Sequence, residues 1–170
     1  PEKNRDSPNT PAATFLVVDD EPNILQLLSE ALVAEGYRVI TSTSSFKAIE
    51  IFKSQPIDVI FSDLKMPEMN GLKFVASVRE FNEFIPIAFI SGHASREHFK
   101  DFIRLGIDSF IEKPFISDDV IIVAQRLLRE GQLRKSMLAL SKLSFQTYVA
   151  VERILSSLPL DESHADDKQS

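Results

Sequence analysis

Short runs of consecutive apolar residues alternate along this chain with stretches whose apolar positions recur every three or four residues. The first run, Phe15-Leu16-Val17-Val18, is rich in β-formers and stops abruptly at Asp19-Asp20-Glu21. A continuous run of that kind predicts a strand buried on both faces. Pro22 then opens a predicted helix, where its missing N–H costs nothing. Ile24, Leu25, Leu27, Leu28, Ala31 and Leu32 give that helix an apolar face, and Gly36 sits where a C-terminal glycine would. The pattern repeats four times. Tyr37–Thr41 is a strand, and Ser44 or Ser45 caps a helix carrying Ala48, Ile49 and Phe52. Val59-Ile60-Phe61 is a strand ending at Ser62-Asp63, and Gly71–Glu80 is a helix with Leu72, Phe74, Val75 and Val78 inward. Gly71 is expected to ease the tight turn into that helix. Ile87–Ile90 is a strand ending at Ser91-Gly92, followed by a helix over Arg96–Leu105. Ser109–Ile111 is the last strand. It runs into Glu112-Lys113-Pro114, and Ser117-Asp118-Asp119 begins a final helix.

Five strand-then-helix units with no two strands adjacent in sequence imply an α/β fold. The expectation is a doubly wound, five-stranded parallel sheet with helices on both faces. Open sheets of this kind bind ligands beyond the carboxyl ends of their strands. Chemistry is therefore sought just after each apolar run. Those positions hold Asp19 and Asp20, then Asp63, then Ser91, then Lys113.

Composition narrows the reading. The 170 residues are 44% hydrophobic and 26% charged, with a net charge of −6. That balance suits one globular domain plus extensions and makes direct binding of free nucleic acid a poor reading. Without cysteine, no disulfide or thiolate metal site can form. No apolar run approaches the ~18 residues of a membrane span. The chain starts at Pro1 without an initiating Met, as a trimmed chain does, and the expected location is cytoplasmic. Residues 1–13 are polar and proline-rich and read as a disordered arm; 161–170 read as a disordered acidic tail.

Three carboxylates gathered at one sheet edge repel one another and call for a cation. Oxygen ligands without His or Cys point to a hard ion, Mg²⁺ by default. Lys113 adds a positive charge that suits an anionic group, and the Ser91 hydroxyl can donate a hydrogen bond to a phosphoryl oxygen. Together these are the parts of a phosphoryl-transfer site with a carboxylate nucleophile, Asp63.

The segments FLVVDDEP, VIFSDLKMPEMNGL, AFISGHA and SFIEKPF resemble the four signature segments of the CheY-like receiver domain of two-component response regulators. The resemblance covers Thr14 to about Arg129, within a receiver domain drawn at 14–130. It implies a flavodoxin-like sheet of order 2-1-3-4-5. It implies phosphorylation of Asp63 by a sensor histidine kinase or phosphotransfer protein, with Ser91 and Lys113 as catalytic partners. It further implies Mg²⁺ held by Asp20, Asp63 and the Lys65 backbone carbonyl, with Asp19 helping through water. Ser91 and Phe110 match the switch positions, the Lys113–Pro114 bond is expected to be cis, and the source is expected to be bacterial. Lys65 and His93 match positions that tune phosphate lifetime, although a lone loop histidine is more often simply solvated. A phosphatase of similar fold would need a cap or a second acid, and no insertion supplies one. The chain reads as a signalling module, self-catalysed but not an enzyme on other substrates, with no DNA-binding output domain.

Beyond the receiver, Gly131 is expected to interrupt the final helix, after which residues 131–160 form a helix or helix pair. A heptad seam runs through Leu133, Met137, Leu140, Ser144, Thr147, Val151, Ile154 and Leu158. Ser144 and Thr147 make it depart from a regular coiled coil. From Val120 to Leu160 six bases meet two acids, a net of +4, while Thr14–Asp119 carries −7. Three fates are open for this extension: folding back on the acidic domain, docking on a partner or a second copy as a homodimer, or serving as a solvated linker.

Overall fold

Each continuous apolar run of the sequence forms a strand, and each periodic stretch a helix. The structure, a computed structural model, describes residues 13–92 and 99–157. Along them lie β1 (Thr14–Val18), α1 (Pro22–Ala34), β2 (Arg38–Ser42), α2 (Ser45–Ser54) and β3 (Val59–Asp63). They continue with α3 (Gly71–Phe81), β4 (Ile87–Ser91), α4 (Phe99–Leu105), β5 (Ser109–Glu112) and α5 (Ser117–Ser157). The strands form one parallel sheet in the order β2-β1-β3-β4-β5, as expected. Every residue of β1, β3 and β4 is buried, whereas the edge strands β2 and β5 are partly exposed. Central strands of a doubly covered sheet have no wet face, which is why their sequences are apolar throughout rather than alternating.

Two cores flank the sheet. On one face Phe15, Val17, Phe61 and Ile90 pack with Leu25, Leu28 and Leu32 of α1 and with Val120, Ala124 and Leu127 of α5. On the other, Leu16, Ile60, Ile87 and Phe89 pack with Ala48 of α2 and with Phe74, Val75 and Val78 of α3. The alternation of strand residues between these two sets is the period-two rule at work. Leu27, expected on the inward face of α1, is instead 40% exposed. The helical period puts Leu25, Leu28 and Leu32 on one stripe and leaves Leu27 beside it.

Local signals were largely accurate. Pro22 stands in the first turn of α1, and Gly36 follows that helix with φ +86°. Ser44 and Asn70 cap α2 and α3 by accepting from the backbone N–H groups of Lys47 and Lys73. Arg79, near the end of α3, was not singled out by its sequence. Its guanidinium donates to the carbonyls of Leu105, Gly106 and Ile85 at 2.9, 2.7 and 2.6 Å and pairs with Asp108 at 3.8 Å. It thereby ties the end of α4 to α3 and to the entry of β4.

Two expectations are corrected. Gly131 does not interrupt α5, which runs unbroken from Ser117 to Ser157. A Cβ at Gly131 would come within 2.8 Å of Pro86 Cγ. The glycine costs the helix about 1 kcal/mol in propensity and lets it approach Pro86 closely. Ala13, counted in the arm, is buried, and its carbonyl accepts from the Arg38 N–H at 2.9 Å. The rest of the arm, the acidic tail, His93, the start proposed for α4 at Arg96 and seam residue Leu158 lie outside the described residues. The chain divides into two units, Pro1–Leu133 and Arg134–Ser170. Among the described residues no helix is long and apolar enough to cross a membrane.

Candidate functional site

The carboxyl ends of β1, β3, β4 and β5 bring the predicted side chains to one edge of the sheet. Asp19 follows β1 directly, and its backbone N–H donates to the Ser42 carbonyl at 3.2 Å. Its carboxylate accepts from the Glu21 N–H at 2.9 Å, and its side chain is 1% exposed. Asp63 closes β3, and its Oδ2 accepts from the Lys65 N–H at 2.8 Å. Ser91 ends β4 and is buried. Its carbonyl accepts from the Lys113 N–H at 3.0 Å, which sets the position of the lysine against β4. The Lys113–Pro114 bond is cis, as expected.

Lys113 joins these strands through its side chain. Nζ lies 2.9 Å from Asp19 Oδ2, 3.4 Å from Asp63 Oδ1 and 3.1 Å from Glu21 Oε1. One ammonium therefore serves three carboxylates. Burial opposes its charged form, but the hydrogen bond and charge of Asp19, the bond to Glu21 and the charge of Asp63 outweigh that and push its pKa up. The carboxylates are less well served. Burial raises Asp19 above the ordinary range despite the bonds from Lys113 and the Glu21 N–H. Burial likewise raises Asp63 despite Lys113 and the Lys65 N–H, and the charge of Asp20 adds to the rise. Burial leads in both cases, and a neighbouring carboxylate adds to it, Asp63 at Asp19 and Asp20 at Asp63.

Asp20 is half-buried beside the cluster. Among the described residues no three acidic or imidazole side chains form a ready-made metal cage. The set expected from the resemblance needs only Asp20 and Asp63 as direct side-chain ligands, together with the Lys65 carbonyl. Its oxygen-only chemistry and uncompensated negative charge fit a hard divalent cation.

Glu21 was missed as a lysine partner. Its signal was there in a third consecutive acid after the first strand. Gly71 was given the wrong reason. Its φ is not in the left-handed region. A Cβ there would instead collide with the Asp63 carbonyl oxygen and stand 2.7 Å from Phe89 Cε1 and 3.0 Å from Leu64 Cα. The glycine lets α3 begin hard against the end of β3, with its N–H bonded to the Leu64 carbonyl at 2.9 Å. Phe110 on β5 is half-buried and stacks on Phe102 of α4 at 6.3 Å, while Phe102 meets Phe89 at 5.3 Å. An aromatic row thus runs from β4 across α4 to β5.

A 2-1-3-4-5 parallel sheet whose strand ends gather Asp19, Asp63, Ser91 and Lys113 defines a class of signalling domain. Residues 15–125 match the response regulator receiver domain family, and the chain belongs to it. The regulatory protein GlrR of Escherichia coli K12 is 32% identical over 106 residues, which are 62% of this chain and 24% of GlrR. The nitrogen assimilation regulator NtrX of Azorhizobium caulinodans is 31% identical over 135 residues, 78% of this chain and 30% of NtrX. Among solved structures, CheY4 of Vibrio cholerae aligns at 33% identity with a TM-score of 0.66 over 68% of this chain and 98% of CheY4. NtrX of Brucella abortus aligns at 32% identity with a TM-score of 0.71 over 76% of this chain and 30% of NtrX. The chain spans only about a quarter to a third of GlrR and NtrX. As a response regulator receiver domain, it is a two-component signalling domain.

Proposed function

We propose that Asp63 accepts a phosphoryl group from the phosphohistidine of a partner kinase or phosphotransfer protein in the cytoplasm. The observation that carries this reading is the Lys113 ammonium held between Asp19 and Asp63 across three strand ends. An Asp63 carboxylate oxygen attacks phosphorus; the new P–O bond forms as the P–N bond breaks, and the departing imidazole keeps the electron pair and takes a proton. Lys113 lies within reach of the charge that spreads over the phosphoryl oxygens. The Ser91 hydroxyl is the hydrogen-bond donor to one of them. Asp20, Asp63 and the Lys65 carbonyl would hold Mg²⁺, with Asp19 assisting through water. Bound there, the ion would neutralise the acidic cluster and offset the charge of the transferring group.

The output is a change in protein–protein affinity. Ser91 drawn toward the phosphoryl group leaves space next to the β5 edge, and Phe110 occupies it, which alters the surface of α4, β5 and the first turns of α5. The domain acts on its own aspartate and on no other substrate.

The test is incubation with Mg²⁺ and acetyl phosphate, followed by intact-mass measurement. One added phosphoryl group, stable in acid and labile in base, is expected on the wild type and absent from Asp63→Asn. Equal labelling of Asp63→Asn would overturn the assignment. Omission of Mg²⁺ should abolish labelling, and labelling that persists in a chelator would remove the metal from the reading.

A further inference from the structure

Glu21 touches the site without a part in the chemistry proposed for it. It stands at the N-cap of α1, and its backbone is fixed on both sides. Its N–H donates to Asp19 Oδ1 at 2.9 Å, and its carbonyl accepts from the N–H groups of Ile24 and Leu25 at 3.1 and 3.2 Å. Its side chain makes no capping bond to the helix. The carboxylate goes to Lys113 instead, 3.1 Å from Nζ.

The three carboxylates around that ammonium differ in how firmly they are held there. Asp19, 2.9 Å from Nζ, is 1% exposed, and Asp63, 3.4 Å away, is 7% exposed. Either would be left as a buried charge if Lys113 moved off it. Glu21 is 64% exposed, so water can take the place of the ammonium at little cost. It is also the carboxylate of the three that faces the solvent from which a phosphodonor arrives. A phosphoryl group brings further anionic oxygens to a cluster in which one ammonium already faces three carboxylates. An ammonium has three N–H donors. The one that can be transferred to a phosphoryl oxygen without baring a buried charge is the one on Glu21.

Taking Asp63 as the phosphoacceptor proposed above, we infer that Glu21 is a displaceable counter-ion of Lys113. A phosphoryl oxygen replaces it on the ammonium before transfer, and Glu21 thereby holds back phosphorylation by small anionic donors. Lys113 gives up an exposed ion pair, a factor of about two to five. Until the carboxylate swings away, the donor also meets a like charge at the mouth of the site. A phosphohistidine carried on a partner protein can offset both costs with contacts elsewhere on its surface, which acetyl phosphate cannot. Glu21 is a positioning residue in this scheme: it acts through Lys113 and touches no reacting atom.

The test is the rate of labelling by acetyl phosphate at saturating Mg²⁺, read by intact mass at a temperature where every form is folded, in wild type, Glu21→Gln and Glu21→Asp. Glu21→Gln should label about three to ten times faster. Aspartate keeps the charge but is a strong N-cap residue, so its carboxylate turns to the free N–H groups of α1. Glu21→Asp should therefore label like Glu21→Gln. A second readout needs neither metal nor donor. In metal-free protein the Lys113 ammonium signal, followed by nitrogen-15 NMR, should exchange with water about two to five times faster in Glu21→Gln. Equal labelling in wild type and Glu21→Gln overturns the inference and leaves Asp63 as the acceptor. Slower labelling in Glu21→Gln overturns it too, because Glu21 would then belong with the groups that hold the cation. So does a wild-type rate in Glu21→Asp, which would assign the effect to charge and not to the bond, and so does an unchanged ammonium exchange. No labelling of any form would remove the Asp63 reading itself, and this role of Glu21 with it.

Discussion

Gly71→Ala places a methyl group where α3 presses against the end of β3. Two of the three atoms it would meet belong to backbone: the Asp63 carbonyl oxygen and Leu64 Cα at 3.0 Å. The third, Phe89 Cε1 at 2.7 Å, belongs to a ring with no exposure, already packed against Phe102. None of these is the free end of a flexible chain, so the strain must be taken up by moving α3 or the β3 terminus. Overpacking of this kind costs ~1–3 kcal/mol. Alanine recovers at most about 1 kcal/mol of helix propensity. The expected net loss is about 1–2 kcal/mol, measured by urea unfolding. The functional effect should be larger than that stability loss alone suggests, because the displaced atoms carry Asp63. A shift of order 1 Å at a reacting group can cost about a hundredfold in rate. Phosphorylation by acetyl phosphate, followed by intact mass under conditions where the variant is fully folded, should therefore slow by one to two orders of magnitude. Gly36→Ala is the matched control. It meets nothing within 4 Å but keeps a φ of +86°, so it should cost about 1 kcal/mol and leave the rate alone. A Gly71→Ala variant as stable and as fast as wild type would refute the steric argument, and equal slowing in both variants would refute its link to Asp63.

Three further outcomes are expected. Asp19 and Asp63 have folded-state pKa values raised above 3.8. The stability this proton affinity confers is full below that value and lost as pH rises through the folded pKa. In metal-free buffer Asp63→Asn should therefore raise the thermal midpoint at pH 7 and flatten the acid-side pH dependence; a lower midpoint than wild type at pH 7 would contradict the account in which burial opposes the Asp63 charge. Lys113→Met leaves Asp19, 1% exposed, without its ammonium partner. It should cost about 3 kcal/mol at pH 7 and less near pH 4, where the carboxyls take up protons; a pH-independent loss in urea unfolding would assign the effect to packing instead. Arg79→Met abandons three carbonyls and the buried Asp108 carboxylate, for an expected loss of about 3–5 kcal/mol. Arg79→Lys should recover only part of it, since an ammonium cannot fork between Leu105, Gly106 and Ile85. Full recovery by lysine would show that charge alone matters there.

The site was legible because its chemistry sits at fixed places in a repeating grammar. A buried strand has to stop where charge begins, so Asp19, Asp63 and Lys113 each announced themselves as a polar residue ending an apolar run. The sheet order then followed from resemblance, and the pairing of β1 with both β2 and β3 agrees with it. What could not be read was set by distances between segments far apart in sequence. Gly71 and Gly131 both looked like local punctuation, a turn and a break. Both are instead close-approach glycines, one against Asp63 and the other against Pro86, and each of those partners is fixed only once the sheet has formed. Arg79 was illegible for the same reason, since its partners are carbonyls, which a sequence does not display. The C-terminal seam shows a different limit of reading by residue type. Thr147 is polar by composition, yet its hydroxyl is turned into its own helix. Side-chain type alone does not say where a hydroxyl finds its partner, because that is set by the backbone around it.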